Sequence, residues 1–460
     1  MIRRPPRSTP SNSSAASDVY KRQFDTRLVD APVWNWDMGR VTEDIKEYEP
    51  NLIVVDTSFP TLTHDLSITK IIKRNYPEAR TVMVGPPTSQ FPDKILTSEG
   101  VDFVARWEYD LTLKELAEVL DNDGDLKPIK GISYKYNGSI IHNPDREFTT
   151  SEELDRIPFV SKVYQKHLNI KDYRLDYSLF PEVQVFAGRG CPFQCTFCCW
   201  TQTFTGRKFR IRSVPNVIDE LVWVERNLPE VKEVFFEDDT FTINKKWVHS
   251  FCDEYKRRGL NIPWACQARA DLDYETMKKM KEARCRVVVV GFESGSNEIL
   301  RNVKKGITVE QSKQFIQDAR KAGMPVHGNF VIGLPGETQE TIEMTKKLIK
   351  EARSEAITVA VTTPFPGTEL YEYAKSNGYL LTDDPNEYLD DHGHQKSIVS
   401  YPWLSSQEVT ITVDKILKGY YFSPTYIPLA LKRIFRKDGW SEVKRLWHSA
   451  KSFLKYISQR

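Results

Sequence analysis

The chain has 460 residues, enough for two or three domains with sizeable cores. Its 40% hydrophobic and 28% charged residues suit an ordinary globular protein, and a net charge of +2 gives no global basic field of the kind a nucleic-acid binder carries. No apolar run approaches membrane-spanning length. The 7 cysteines, odd in number and unevenly clustered, exclude a secreted disulfide framework, so a cytoplasmic protein is expected.

Residues 1–23, rich in Ser, Arg and Pro, show neither helical nor strand period. They read as an adapter-like non-native segment or a disordered basic arm, and the domain behind them is expected to be truncated at its amino terminus. From 24 to 143 short apolar strands alternate with amphipathic helices. RLVDAP (27–32), NLIVVDTS (51–58), TVMVGPP (81–87) and DFVARWE (102–108) are the expected strands, and the Asn-Gly of residues 130–143 marks a hairpin. That alternation predicts an open parallel α/β sheet with ligands beyond the carboxyl ends of its strands. Residues 144–180 are expected to be a linker.

A second α/β run covers 181–395, with strands at 181–190, 233–241, 263–271, 286–295, 326–336 and 356–368. Six βα repeats in about 190 residues fit a partial barrel, since a full eight-unit barrel takes ~250. Its first strand delivers CPFQCTFCCW (191–200) to the rim. A redox pair of Cys195 and Cys198 would leave Cys191 unused, and zinc would want a fourth ligand that no nearby Cys or His pair supplies. Three thiolates spaced Cys-x3-Cys-x2-Cys suit a [4Fe–4S] cluster with one iron left open. Cys199 is expected to point away, and Cys252, Cys266 and Cys285 to sit in the core.

GRGCPFQCTFC resembles the cluster loop of radical S-adenosylmethionine (SAM) enzymes, and the six-strand partial barrel agrees with it. The resemblance implies that Cys191, Cys195 and Cys198 bind the cluster and that the open iron chelates SAM. An external one-electron reductant such as flavodoxin or ferredoxin would drive cleavage to a 5′-deoxyadenosyl radical. SAM contacts are then expected at each strand end: Glu237, Asp238 and Asp239 for its amino group, with Asp239 the best match to the acidic position, Arg269 for its carboxylate or ribose, and Glu293 and Ser294 for the ribose. Phe197, Ile332 and Gly333 are expected around the adenine. A non-catalytic iron–sulfur protein would keep the cysteines and lack this rim.

The first domain resembles the cobalamin-binding Rossmann-like module found ahead of many such barrels, which implies corrin contacts at Asp30, Asp56, Thr57, Ser58 and Gly85. It departs from other cobalamin proteins in having no histidine in DAPVWN (30–35) and a Pro-Pro pair in VGPPTS (84–89). Over nearly its whole length the chain is most similar to the hopanoid-biosynthesis branch. The motifs are VDFVARWEYDLTLKEL, IIHNPDR, IPFVSKVY, GRGCPFQCTFCCWTQT and HGNFVIGLPGET. This implies a lipid substrate, with porphyrin-ring cyclases and cobalamin-dependent methylases as neighbouring branches.

Residues 396–460 are expected to form a helical extension. Val443, Leu446, Trp447, Ala450, Phe453, Leu454 and Ile457 share one helical face, with Lys444, Arg445, Lys451 and Lys455 among the polar positions. Such a helix can lie on an anionic membrane surface or pack against the barrel.

Overall fold

The structure is a computed structural model that describes residues 24–175 and 177–424, together with Tyr426, Pro428, Val443, Trp447, Ala450, Lys451 and Leu454. The expectations for residues 1–23, and for Lys444, Arg445, Leu446, Phe453, Lys455 and Ile457, lie outside the described residues. Of the amphipathic face, Trp447 and Leu454 are exposed. Among the described residues no helix is long and apolar enough to cross a membrane.

The amino-terminal sheet runs β1 (Leu52–Asp56), β2 (Arg80–Val84), β3 (Phe103–Ala105), β4 (Ile132–Tyr136) and β5 (Ser139–His142) in spatial order. The first three are parallel; the last two add on as an antiparallel hairpin. Its turn residues Asn137 and Gly138 both have positive φ, +48° and +79°, as a two-residue turn that follows the strand twist requires. The expected strand at 27–32 does not form. Its end is a turn in which the carbonyl of Asp30 accepts from Val33 and Trp34 N–H, and Pro32 supplies no ladder donor.

The second sheet has the order β6 (Glu182–Val185), β9 (Glu233–Phe236), β10 (Trp264–Arg269), β11 (Cys285–Glu293), β12 (Val326–Ile332) and β13 (Ala356–Val361), all parallel. This is the expected six-stranded partial barrel. Two short strands, β7 (Gly188–Arg189) and β8 (Arg210–Ile211), form an antiparallel pair between β6 and β9. Capped helices cover the outside: Thr308 and Gln311 make a reciprocal capping box for Val309–Lys321, and Ser213 caps Val214–Asn227. Between strands and helices lies one large core in which Phe236, Phe241, Phe251 and Trp264 pack edge to face, with Trp264 Nε1 donating to the Ala283 carbonyl.

The linker acts as the floor of this barrel. After helices Ser151–Arg156 and Val160–His167, Leu175 and Tyr177 pack with Phe235, Ala265, Val287 and Val289 on the inward side of the strands. Carboxylates at the strand starts hold it there: Leu175 N–H donates to Glu182 (2.6 Å) and Leu179 N–H to Glu233 (2.8 Å). The helix Ser406–Tyr421 closes the far edge, its Tyr421 hydroxyl bonded to both backbone groups of Ile357.

The two sheets meet at the carboxyl ends of their strands. Phe59, just past β1, stacks on Phe365, just past β13, with ring centroids 5.5 Å apart. Gln90, after β2, lies against Gly367, where a Cβ would come within 2.3 Å of its side chain. The rim of the barrel and the carboxyl edge of the first sheet therefore touch through these loops.

Candidate active site

The three cysteines lie on residues 190–209, a loop that leaves β7 and returns as β8. Gly190 starts it at φ +79°, with the Lys208 carbonyl where a Cβ would sit, so only glycine fits. The expected carboxylates past β9 hold this entry. Asp238, fully buried, accepts from Ala187 N–H (3.1 Å) and Gly188 N–H (2.5 Å). Asp239 accepts from Gly190 N–H (2.8 Å) and the Thr205 hydroxyl (2.9 Å). Both acids therefore organise the backbone leading into Cys191. Burial pushes Asp238 up to about 7 against its two N–H donors.

The rest of the loop is tied to the barrel. The Gln202 amide donates to the carbonyls of Cys195 (3.4 Å), Thr196 (3.2 Å) and Cys198 (2.8 Å), and its own oxygen accepts from Glu369 N–H. Arg207 donates to the Phe193 carbonyl, Thr196 N–H to Val303, and Leu370 N–H to Thr196. With its carbonyls turned outward in this way, the loop leaves its thiols for a ligand. Cys191, Cys195 and Cys198 are all free thiols. Burial raises Cys191 and Cys198 above the ordinary thiol range, so a nearby positive centre is needed to hold them as thiolates.

Three free thiols on one loop, with the charge of Cys195 acting on both Cys191 and Cys198, are the donor set an iron–sulfur cube takes. Among the described residues no three His, Cys, Asp or Glu side chains converge on a single-ion site, and a cube takes each thiolate on a different iron, so its sulfurs ring the core rather than share one coordination sphere. Cys199 packs instead beside Phe59, Tyr388 and Ile398 at the interface of the sheets, where burial pushes its thiol up to about 12. Cys252, Cys266 and Cys285 are buried in the core.

Strand parity sorts the remaining rim residues. Phe235 faces the lumen, so Glu237, two residues on, does too. Its Oε1 takes a 3.4 Å contact from Gln267 Nε2, while Oε2 is buried with no hydrogen-bond partner. Burial, then Asp239, push Glu237 up to about 7. Arg269 ends β10 with its guanidinium 3.4 Å from the Phe193 ring centroid and Nη2 on the Lys305 carbonyl (2.8 Å). Glu293 ends β11 in a left-handed conformation, φ +62°, and its Oε1 accepts from Lys305 Nζ at 2.7 Å. A Cβ on Gly291 would meet both groups, so that glycine makes room for the pair. Burial alone would lower the Lys305 ammonium; the Glu293 carboxylate, with Cys195 adding, carries it above its ordinary range.

Two expected SAM contacts lie elsewhere. Ser294 is fully buried, 3.2 Å from the Thr345 hydroxyl of an outer helix, because the left-handed turn at Glu293 swings the next side chain off the rim. Ile332 belongs to the core between strands and helices; Val331, on the opposite face of β12, is the residue packed near Phe197 with Ile299, Val303 and Leu334. Gly333 has φ +94°, and its N–H donates to Glu337 (2.5 Å), which burial pushes up to about 7. Lys305, Gln202, Phe193 and Glu337 were missed: each sits in a connection where polar residues are ordinarily solvated, and only the tertiary fold gives them partners.

In the first domain, Gly85 (φ +109°) brings β2's end against β1's, since a Cβ would lie 2.2 Å from the Thr57 carbonyl. Thr57 Oγ1 donates to Asp65, Ser58 pairs with Thr61, and Asp56 accepts from the Tyr109 hydroxyl (3.4 Å). Asp30 accepts from the Tyr173 hydroxyl of the linker (3.0 Å). Thr57 thus spends its hydroxyl proton on Asp65, while the hydroxyls of Ser58 and Thr61 share one bond at 2.9 Å.

A model of the radical SAM superfamily matches residues 185–349. The chain is 31% identical to an uncharacterised methyltransferase of Pyrococcus horikoshii over 92% of its own length and 89% of the relative's. It is 25% identical to the hopanoid C-3 methylase of Methylococcus capsulatus over 77% of this chain and 66% of that one. Among solved structures, the radical SAM methyltransferase TsrM from Kitasatospora setae, with cobalamin and a [4Fe–4S] cluster bound, superimposes with a TM-score of 0.71 at 17% identity, covering 91% of this chain and 87% of that one. The cobalamin-dependent radical enzyme OxsB gives 0.70 at 15% identity, covering 98% and 69%. The chain belongs to the radical SAM superfamily and is an enzyme.

Proposed function

We propose that this protein is a cobalamin-dependent radical SAM enzyme that methylates, or rearranges, an unactivated carbon of a small molecule. The observation that carries the reading is the loop of three free cysteines beside a rim of buried, oppositely charged groups. Cys191, Cys195 and Cys198 would hold the cluster; Glu237, with its unpartnered oxygen, suits the SAM ammonium; Arg269 and Lys305 offer cations for its carboxylate; and Glu293 accepts from a ribose. When bound, the cluster and corrin supply the electron for SAM cleavage and a carrier for the methyl group. The chain's own residues hold the loop, orient the nucleotide and exclude water: Leu175 and Tyr177 seal the lumen below, and the Phe59–Phe365 contact packs the interface of the two sheets.

Methyl transfer is favoured over cyclisation by the names of relatives, several of them methyltransferases, while a magnesium-protoporphyrin ester cyclase of Rubrivivax gelatinosus, 27% identical, keeps the second outcome in view. A lipid of the hopanoid kind is the substrate we propose, on the sequence resemblance and the one methylase relative. Turnover then needs an external one-electron reductant. The test is anaerobic reconstitution with iron, sulfide and hydroxocobalamin, then SAM and dithionite. A cluster signal perturbed by SAM, bound cobalt, and 5′-deoxyadenosine or S-adenosylhomocysteine are expected. Cys195→Ala removes the cluster and these products; turnover unchanged by it refutes the reading.

A further inference from the structure

Arg189 and Arg210 face each other across β7 and β8, the two-residue ladder that closes the neck of the cluster loop. Arg210 is buried and Arg189 nearly so, their side chains 2% and 13% exposed, and each finds its counter-ion in the amino-terminal domain rather than in the barrel. Arg189 Nη1 donates to Asp110 Oδ2 (2.7 Å) and Nη2 to Oδ1 (3.3 Å). Arg210 Nη2 donates to Glu108 Oε1, whose other oxygen accepts from Thr149 N–H (2.9 Å) and Oγ1 (2.8 Å). Arg210 also ties the loop's returning arm, through the carbonyls of Thr205 (2.8 Å) and Lys208 (2.5 Å). Between the two acids, Tyr109 reaches Asp56 and packs against Phe204, just past the cysteines.

We propose that Glu108 and Asp110 are positioning residues for the iron–sulfur cluster, so that the amino-terminal domain fixes one of its three ligands against the other two. The inference rests on the reading that Cys191, Cys195 and Cys198 hold that cluster. Cys191 is two residues from Arg189 and moves with the neck. Cys195 and Cys198 are fastened independently, through Thr196 to Val303 and Leu370 and through Gln202 to Glu369. The Arg189–Asp110 pair is bidentate, which fixes angle as well as distance, and Arg210 adds a single charge-assisted bond to Glu108, itself anchored on Thr149.

The experiment uses the full chain, reconstituted anaerobically, as wild type, Asp110→Asn and Glu108→Gln/Asp110→Asn. Melting temperature, the rate of iron loss to bathophenanthroline and the electron paramagnetic resonance signal of the reduced cluster with and without SAM are read for each. At least tenfold faster iron loss and an altered signal are expected in folded variants. Asp110→Asn keeps the side-chain shape and leaves Glu108 3.9 Å from Arg189, so it serves if the double variant fails to fold. Asn386→Ala, which cuts a different contact between the domains, the 3.0 Å bond to Thr63, is expected to leave both readouts unchanged. Iron loss and signal matching wild type in Asp110→Asn, or equal acceleration by Asn386→Ala, overturns the inference alone. A wild type that takes up no cluster overturns the reading beneath it as well.

Discussion

Glu237→Gln separates a ligand-binding carboxylate from a structural one. One oxygen of Glu237 is buried without a partner, and its pKa is pushed up to about 7 from 4.5, by burial first and the Asp239 charge second. A carboxyl whose folded pKa lies above its unfolded one stabilises most when protonated: its contribution is full below about 4.5 and is lost as pH rises through about 7. The shift corresponds to about 3 kcal/mol of strain in the ionised, ligand-free protein at pH 8. An ammonium group reverses the preference, since it binds only the ionised form. Wild-type affinity for SAM should therefore fall about tenfold between pH 8 and pH 6 and should be coupled to proton release below pH 7. The glutamine variant should lose that slope, bind SAM about tenfold to hundredfold more weakly at pH 8 for want of a charge-assisted hydrogen bond, and yet resist urea better than wild type at pH 8. Anaerobic titration calorimetry in two buffers of different ionisation enthalpy, with urea melts at pH 6 and 8, reads all of these. Equal pH slopes in variant and wild type refute the argument.

Gly85→Ala forces an alanine to φ +109° against the Thr57 carbonyl, so a loss of at least ~1–3 kcal/mol in a urea melt is expected, with weaker corrin uptake measured by absorbance. Gln202→Leu unties three loop carbonyls; the reconstituted protein should hold less iron per chain at an unchanged circular-dichroism spectrum. Trp264→Ala empties the centre of the aromatic core and frees the Ala283 carbonyl, which should cost about 3–5 kcal/mol in the same melt. A loss under about 1 kcal/mol would mean the core refills the space.

The barrel was legible because buried parallel strands write themselves as apolar runs such as VVVVG (287–291), and its register follows from where those runs stop. The site was legible in proportion to how closely its residues follow strand parity. Glu237, Arg269 and Glu293 end their strands facing inward, as placed. Asp239, the expected partner of the SAM amino group, and Asp238 follow β9, but backbone N–H groups of the cluster-loop entry claim both, and Glu237 is the carboxylate left with a buried unpartnered oxygen. Ser294 and Ile332 fail by a single residue each: one follows a left-handed turn that sequence does not announce, the other sits on the wrong face of an alternating strand. The strand expected at 27–32 had the right composition and no ladder to join. The linker's function was illegible because Leu175 and Tyr177 are ordinary residues until a barrel floor surrounds them.

The candidate site residues gather at the carboxyl ends of the strands in both sheets, and this follows from topology. A parallel sheet has its ligand edge at the carboxyl ends of its strands, since the connecting loops there are free to diverge. Here two such edges come together at the Phe59–Phe365 contact. The same arrangement requires the interface to be fixed rather than loose, because a shift of one domain changes the distance between reacting atoms. Arginine–carboxylate pairs at the loop neck hold that interface at one place, and at another Phe59, Phe365 and Tyr388 pack together beside the bond from Asn386 to Thr63.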